Sequence, residues 1–243
     1  METYTIITGA TSGIGLDLAK RLAKDRNVIL VGRSQEKLDT AISQMETTHR
    51  VMGFVCDLNT ERRAIASKLS DHISSNDIQI DALVHCAGTS QVMAIRQSNI
   101  DTVDMIFNVN ILSVIEFIKI LLKKDNKGAL KNILLISSLA SIRGEKGNSI
   151  YAASKGALNS LAVTLAKELA PKVRVNCISP GTVKTPMTQS FLETESGEAH
   201  LKDYPLGVGA CEDITNLAYF LLSDSSKWIT GQNIVIDGGR STL

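Results

Sequence analysis

Seven short runs rich in Val, Ile and Leu punctuate this chain, at 3–8, 27–32, 51–56, 81–86, 132–138, 173–179 and 233–237, and the segments between them carry apolar residues at helical spacing. Strands that alternate with helices are joined by right-handed crossovers and therefore lie parallel. A run such as Asn132-Ile133-Leu134-Leu135-Ile136 has no polar face, which places it in a sheet covered on both sides. The expectation is an α/β fold: a single doubly wound domain over 1–243, with a mostly or wholly parallel seven-stranded sheet flanked by helices. A chain of 243 residues suffices for one sizeable core without forcing a second domain. The least regular stretch is 184–210, interrupted by Pro186, Gly197, Pro205, Gly207 and Gly209. It is expected to form a lid or loop insert.

Charge and composition exclude several classes of partner. The net charge is +1, with no basic stripe and no aromatic-interleaved patch, so neither nucleic acid nor a membrane surface is expected. The first strand begins without a basic and apolar leader ahead of it, which predicts a cytoplasmic protein. The apolar segment 109–124 is interrupted by Glu116 and Lys119 and falls short of the ~20 residues a bilayer requires. Cysteines 56, 86, 177 and 211 are far apart and read as buried thiols, and the histidines at 49, 72, 85 and 200 are equally scattered. No metal site is expected.

Two constellations carry chemistry. Thr8-Gly9-Ala10-Thr11-Ser12-Gly13-Ile14-Gly15 follows the first strand and opens a helix; its glycines permit close backbone approach, and a helix start attracts a pyrophosphate. Farther on, Ser138 is followed thirteen positions later by Tyr151 and one helical turn beyond by Lys155, in Tyr-Ala-Ala-Ser-Lys. Residues i and i+4 share a helix face. A tyrosine titrates near ~10 and needs a neighbouring cation to act as an acid-base group near neutrality, and Lys155 is placed to be that cation. The trio can move a proton to a carbonyl oxygen.

Taken in order, these motifs resemble the short-chain dehydrogenase/reductase family from end to end. Thr8 to Gly15 matches its TGxxxGxG, Asp57-Leu58 its adenine-pocket DL, and Asn110 its catalytic asparagine. Ser138, Tyr151 and Lys155 match its S and YxxxK, and Pro180-Gly181 with Thr185 its PGxxxT. The resemblance implies a Rossmann fold and an oxidoreductase that moves a hydride between nicotinamide and a carbonyl or secondary alcohol. It implies catalytic roles for Ser138, Tyr151, Lys155 and Asn110, the last supporting a water-mediated proton path from the lysine. The cofactor would be held by Gly9, Thr11, Ser12, Gly13, Ile14, Gly15, Arg33, Asp57, Leu58, Ala87, Gly88, Tyr151, Lys155, Val183 and Thr185. Its overall pattern is similar to that of 3-oxoacyl-acyl-carrier-protein reductases. A sugar, polyketide, steroid or antibiotic intermediate is the alternative substrate, and a non-catalytic dinucleotide sensor the alternative from another class.

Four further features refine this. The second strand ends Gly32-Arg33 where an acidic residue would select NAD, so NADP(H) is favoured over NAD(H): Gly32 leaves room and Arg33 brings a cation. The other reading of Arg33 is a solvated loop residue. His85-Cys86 replaces the paired asparagines usual before Ala87-Gly88, and reads as a substituted packing position. Lys123, Lys124, Lys127, Lys131 and Lys172 could form a basic rim for an acyl carrier protein, or merely solvate the surface. Apolar helical faces at 101–124 and 155–169, with a terminal strand at 233–237, suggest the homotetramer common in the family.

Overall fold

The computed structural model describes residues 1–242. Its strands are β1 (Glu2–Thr8), β2 (Asn27–Gly32), β3 (Val51–Val55), β4 (Ile78–His85), β5 (Asn132–Ile136), β6 (Arg174–Pro180) and β7 (Asn233–Ile236). The helices are α1 (Gly13–Leu22), α2 (Gln35–Ser43), α3 (Ile65–Asn76), α4 (Ile100–Phe107), α5 (Ser113–Leu121), α6 (Ala140–Arg143), α7 (Ser149–Leu169), α8 (Gln189–Leu192), α9 (Glu195–Leu201) and α10 (Cys211–Leu222). All seven strands join one sheet in the order β3-β2-β1-β4-β5-β6-β7, and every pairing is parallel.

Alternation along each strand divides the core in two. On β1, Tyr4 and Ile6 face the cluster formed with α3, α5 and α7, where Leu69, Phe117 and Leu158 are fully buried. Ile7 points the other way, towards Leu18, Leu22, Leu38 and Ile214 of α1, α2 and α10. Period-two side chains on a sheet covered on both faces require this division. Burying one Leu of this kind stabilises the fold by about 1.5–3 kcal/mol.

Two boundaries depart from the sequence expectation by more than one residue, for physical reasons. Strand β4 starts at Ile78 rather than 81, because its pairing with β1 shifts register between Tyr4 and Thr5 and carries Asp81 within the strand; Thr5 Oγ1 donates to Asp81 Oδ1 at 3.4 Å. Strand β5 stops at Ile136, and Ser137 Oγ donates instead to the carbonyl of Lys155, 2.9 Å away. The apolar stretch 109–124 is not one continuous α-helix. A π-turn, Asn108–Leu112, separates α4 from α5. Among the described residues no helix is long and apolar enough to cross a membrane.

Candidate active site

Parallel strands gather all their carboxyl ends at one edge of the sheet, and the strand order reverses between β1 and β4. Open α/β sheets bind ligands at such a reversal. A cleft of about 380 Å³ opens there, inside the roughly 300–1,000 Å³ range of small-molecule sites. It brings together Gly9, Thr11, Ser12, Gly13, Ile14, Gly15, Arg33, Asp57, Leu58, Ala87, Gly88, Ser138, Tyr151, Lys155, Val183 and Thr185. Asn110 does not line it; that residue is fully buried behind the wall.

One end of the cleft is a backbone cradle. Gly9 takes φ +67°, and a Cβ there would stand 2.8 Å from both Cα and N of Ala87. A Cβ on Gly15 would meet the Gly9 carbonyl oxygen at 2.3 Å. Ser12 caps α1 in extended backbone without a side-chain bond, so the first N–H groups of the helix are left for an anion. This chemistry, a glycine-walled turn against a helix start, fits a dinucleotide pyrophosphate. Beyond it, Asp57 Oδ1 accepts the N–H groups of Asn59 (2.8 Å) and Thr60 (3.2 Å), fixing the turn after β3. The space expected beside Gly32 is filled: a Cβ there would lie 2.8 Å from Thr11 Cγ2 and 3.1 Å from Leu38 Cδ2. Gly32 is thus a packing requirement, and the exposed Arg33 brings a cation to this rim.

The other end carries the candidate proton-transfer groups. Tyr151 and Lys155 share one face of α7, with Lys155 Nζ 5.9 Å from the Tyr151 ring centre. Lys155 is 3% exposed, and its ammonium donates to the Ile136 carbonyl at 2.8 Å. Burial pulls its pKa down to about 8. Burial acts on Tyr151 in the opposite direction and raises its pKa; the Ser138 hydroxyl pulls it down and Glu145 pushes it up. The depression expected from Lys155 therefore does not prevail in this arrangement, since its ammonium is directed to Ile136 and is itself desolvated.

Several contacts in and behind the cleft have no signature in the sequence. Asn110 acts as a strap: its Oδ1 accepts the Thr89 N–H (2.8 Å), and its Nδ2 donates to Thr89 O (3.0 Å) and Ser154 Oγ (2.9 Å). Thr188 Oγ1 donates to Val183 O at 2.6 Å and accepts the Thr185 N–H at 3.1 Å, so it fixes the turn that brings both residues to the cleft. Nothing in its local pattern signals this, because the partners meet only in three dimensions. Cys86 lines the cleft, as the fully buried Cys56 also does, and is itself half-buried; burial nevertheless pushes its thiol up to about 12. Of the irregular stretch 184–210, only 185–188 line the cleft. The rest forms α8 and α9 and fastens elsewhere: Tyr204 donates to Thr182 Oγ1 (2.8 Å), and the Arg240 guanidinium lies 2.9 Å from His200 Nδ1.

Comparison with known proteins agrees with this geometry. A family model described as enoyl-(acyl carrier protein) reductase matches residues 9–241. The dehydrogenase/reductase SDR family member 2, mitochondrial, of Homo sapiens is 32% identical over 248 residues, covering 98% of this chain and 86% of that protein. The 3-oxoacyl-(acyl-carrier-protein) reductase FabG of Thermotoga maritima is 34% identical over 239 residues, 96% of each chain. Among solved structures, a 4-hydroxyisoleucine dehydrogenase complexed with NADH superimposes with a TM-score of 0.89 at 26% identity, covering 99% of both chains.

Proposed function

The chain belongs to the short-chain dehydrogenase/reductase family, and from that premise we propose an NADP-linked carbonyl reductase in which Ser138, Tyr151, Lys155 and Asn110 form the catalytic set. The observation that carries this reading is the placement of Tyr151 and Lys155 on one helix face, in the same cleft as the glycine cradle. The glycine turn and the start of α1 would hold the pyrophosphate, Asp57 and Leu58 the adenine, and Ala87 and Gly88 a ribose. Val183 and Thr185 would meet the nicotinamide side. Bound there, a nicotinamide dinucleotide supplies the hydride in reduction and accepts it in oxidation. Tyr151 gives its proton to the carbonyl oxygen, Ser138 steadies that oxygen, and Lys155 stabilises the phenolate left behind.

Because the Lys155 pKa lies near about 8, this residue is mostly cationic at neutral pH and loses its charge as pH rises through that value. Carbonyl reduction is expected to decline on the alkaline side accordingly. A profile of kcat/KM that stays flat to pH 10 would refute the role of its charge.

NADP preference rests on Arg33. Replacing it with aspartate is expected to shift the NADP/NAD ratio of kcat/KM towards NAD by on the order of tenfold or more, since a cation for the 2′-phosphate becomes a repelling anion. An unchanged ratio would remove Arg33 from the argument.

For the substrate, the resemblance to the Thermotoga reductase supports a 3-oxoacyl thioester. The basic rim offered by the sequence does not adjoin the cleft: Lys131 and Lys172 precede β5 and β6, at the edge opposite the carboxyl strand ends, and Lys123, Lys124 and Lys127 lie between α5 and β5. Besides Arg33, exposed cations at the carboxyl-end edge include Arg143 at the end of α6 and Lys146 and Lys184 on loops, and a carrier protein would meet these. Two separate apolar faces support a homotetramer with two-fold axes: Leu122 just after α5 with Val163 on α7, and Phe220, Trp228 and Val235 around α10 and β7. A monomeric mass in solution at micromolar concentration would refute it. The single domain, a lid reduced to 185–188 and a cytoplasmic location belong to the same proposal.

The test follows absorbance at 340 nm while the protein meets NADPH or NADH and acetoacetyl thioesters, simple ketones, keto-sugars or steroids. NADPH oxidation with the thioester supports the reading in full. Turnover with a different carbonyl keeps the mechanism and replaces the substrate. Failure to bind either dinucleotide overturns the proposal.

A further inference from the structure

His85 lies at the end of β4 with no exposed surface, in the layer immediately behind the cleft wall of Cys86, Ala87 and Gly88. Its two ring nitrogens reach two different elements: Nδ1 is 2.8 Å from Thr8 Oγ1 and Nε2 is 3.2 Å from the backbone carbonyl of Asn110. The protons on this chain can be assigned. A carbonyl oxygen only accepts, so Nε2 carries a hydrogen and donates to Asn110. Thr8 Oγ1 already accepts the Ala87 N–H at 3.2 Å, and its single hydrogen is free to point at Nδ1. The result is a one-way series: Ala87 N–H to Thr8, Thr8 O–H to His85 Nδ1, His85 Nε2–H to the Asn110 carbonyl. Every member is satisfied by a neutral imidazole. Burial and the nearby Lys155 charge both disfavour its protonation, lowering its pKa to about 3.

Asn110 is where the series acts. Its carbonyl lies in the π-turn Asn108–Leu112, an irregularity that places local backbone groups outside the ordinary helical ladder. Its side chain ties Thr89, next to the Gly88 wall, to Ser154, the residue before Lys155. A shift of this turn would move the wall and the Lys155 helix relative to each other. We propose that His85 is a positioning residue for catalysis: as a neutral Nε2–H donor it locks the Asn110 carbonyl, and through Asn110 sets the distance between α7 and the wall beside the nicotinamide site. This rests on the reductase reading above.

The test compares His85→Leu, His85→Gln and His85→Asn. Glutamine can present an N–H near the ring's Nε2 position, whereas asparagine reaches only as far as Nδ1. Expected for H85L is a fall in kcat of at least about tenfold, with KM for dinucleotide and carbonyl within about twofold. H85Q restores kcat to within about threefold, and H85N does not. Equal activity in H85Q and H85N, or a loss carried by KM alone, overturns the proposal. Should H85L fail to fold, the Gln and Asn variants decide. A readout independent of turnover separates this idea from the reductase reading: nitrogen NMR of ¹⁵N-histidine protein should show His85 as the neutral Nε2–H tautomer from pH 5 to 9. An Nδ1–H or cationic ring there overturns the assignment even if the protein is an active reductase.

Discussion

Tyr151→Phe should lower kcat by roughly 10²–10⁴-fold, the range a positioned general acid contributes, while the dissociation constant for NADPH stays within about threefold. The substitution removes one oxygen and keeps the half-buried ring, which lines the cleft. The cradle that would hold the pyrophosphate is built from other elements, at Gly9 to Gly15. Burial raises the Tyr151 pKa, so the hydroxyl keeps its proton at neutral pH and stands ready as an acid for reduction. Single-turnover kinetics alongside a binding titration check both halves. Turnover near that of the unaltered protein would overturn the mechanism, and loss of binding with the same variant would mean that the ring, not the proton, had been removed from use.

Gly15→Ala is the second large effect, and its sign runs against helix propensity. Alanine usually stabilises a helix interior by about 1 kcal/mol over glycine. Here the new Cβ would fall 2.3 Å from the Gly9 carbonyl oxygen, which is backbone and cannot rotate away. The turn must open, at a cost of about 1–3 kcal/mol for overpacking, and Gly9 is itself held against Ala87. The expected result is a rise of at least about tenfold in the NADPH dissociation constant, with a lower Tm. Gly156→Ala is the control, because a Cβ there meets only the Ser141 carbonyl oxygen, at 4.0 Å. It should leave binding unchanged, and equal behaviour of the two variants would refute the steric argument.

The sheet was legible because its signal is local and repeated. The core of each central strand, such as Val28 to Val31 or Ile133 to Ile136, is a run of residues buried on both faces, and periodicity reports burial directly. The start of β4 was missed because Asp81 interrupts that run, and tolerance of this carboxyl depends on Thr5 in another strand. The glycine turn and the Tyr151–Lys155 pair were equally readable, since both are set by spacing within one element. What remained hidden depends on partners far apart in the chain. The strap from Asn110 to Thr89 and Ser154, the Thr188 clasp on Val183, and the bond from His85 to Asn110 have no signature in either partner's own neighbourhood. His85 read as a packing substitution for that reason. Likewise, Lys155 was expected to govern Tyr151 from proximity, whereas the desolvation of both groups is a property of the assembled cleft.

The sequence holds one tryptophan, and Trp228 is 97% exposed beside α10 and β7. An indole facing water emits at longer wavelength than one covered by protein. If that face is shared between subunits, intrinsic fluorescence becomes an optical gauge of assembly: the emission should move to the red on dilution as the indole is uncovered, with no label attached and with no second tryptophan to blur the signal.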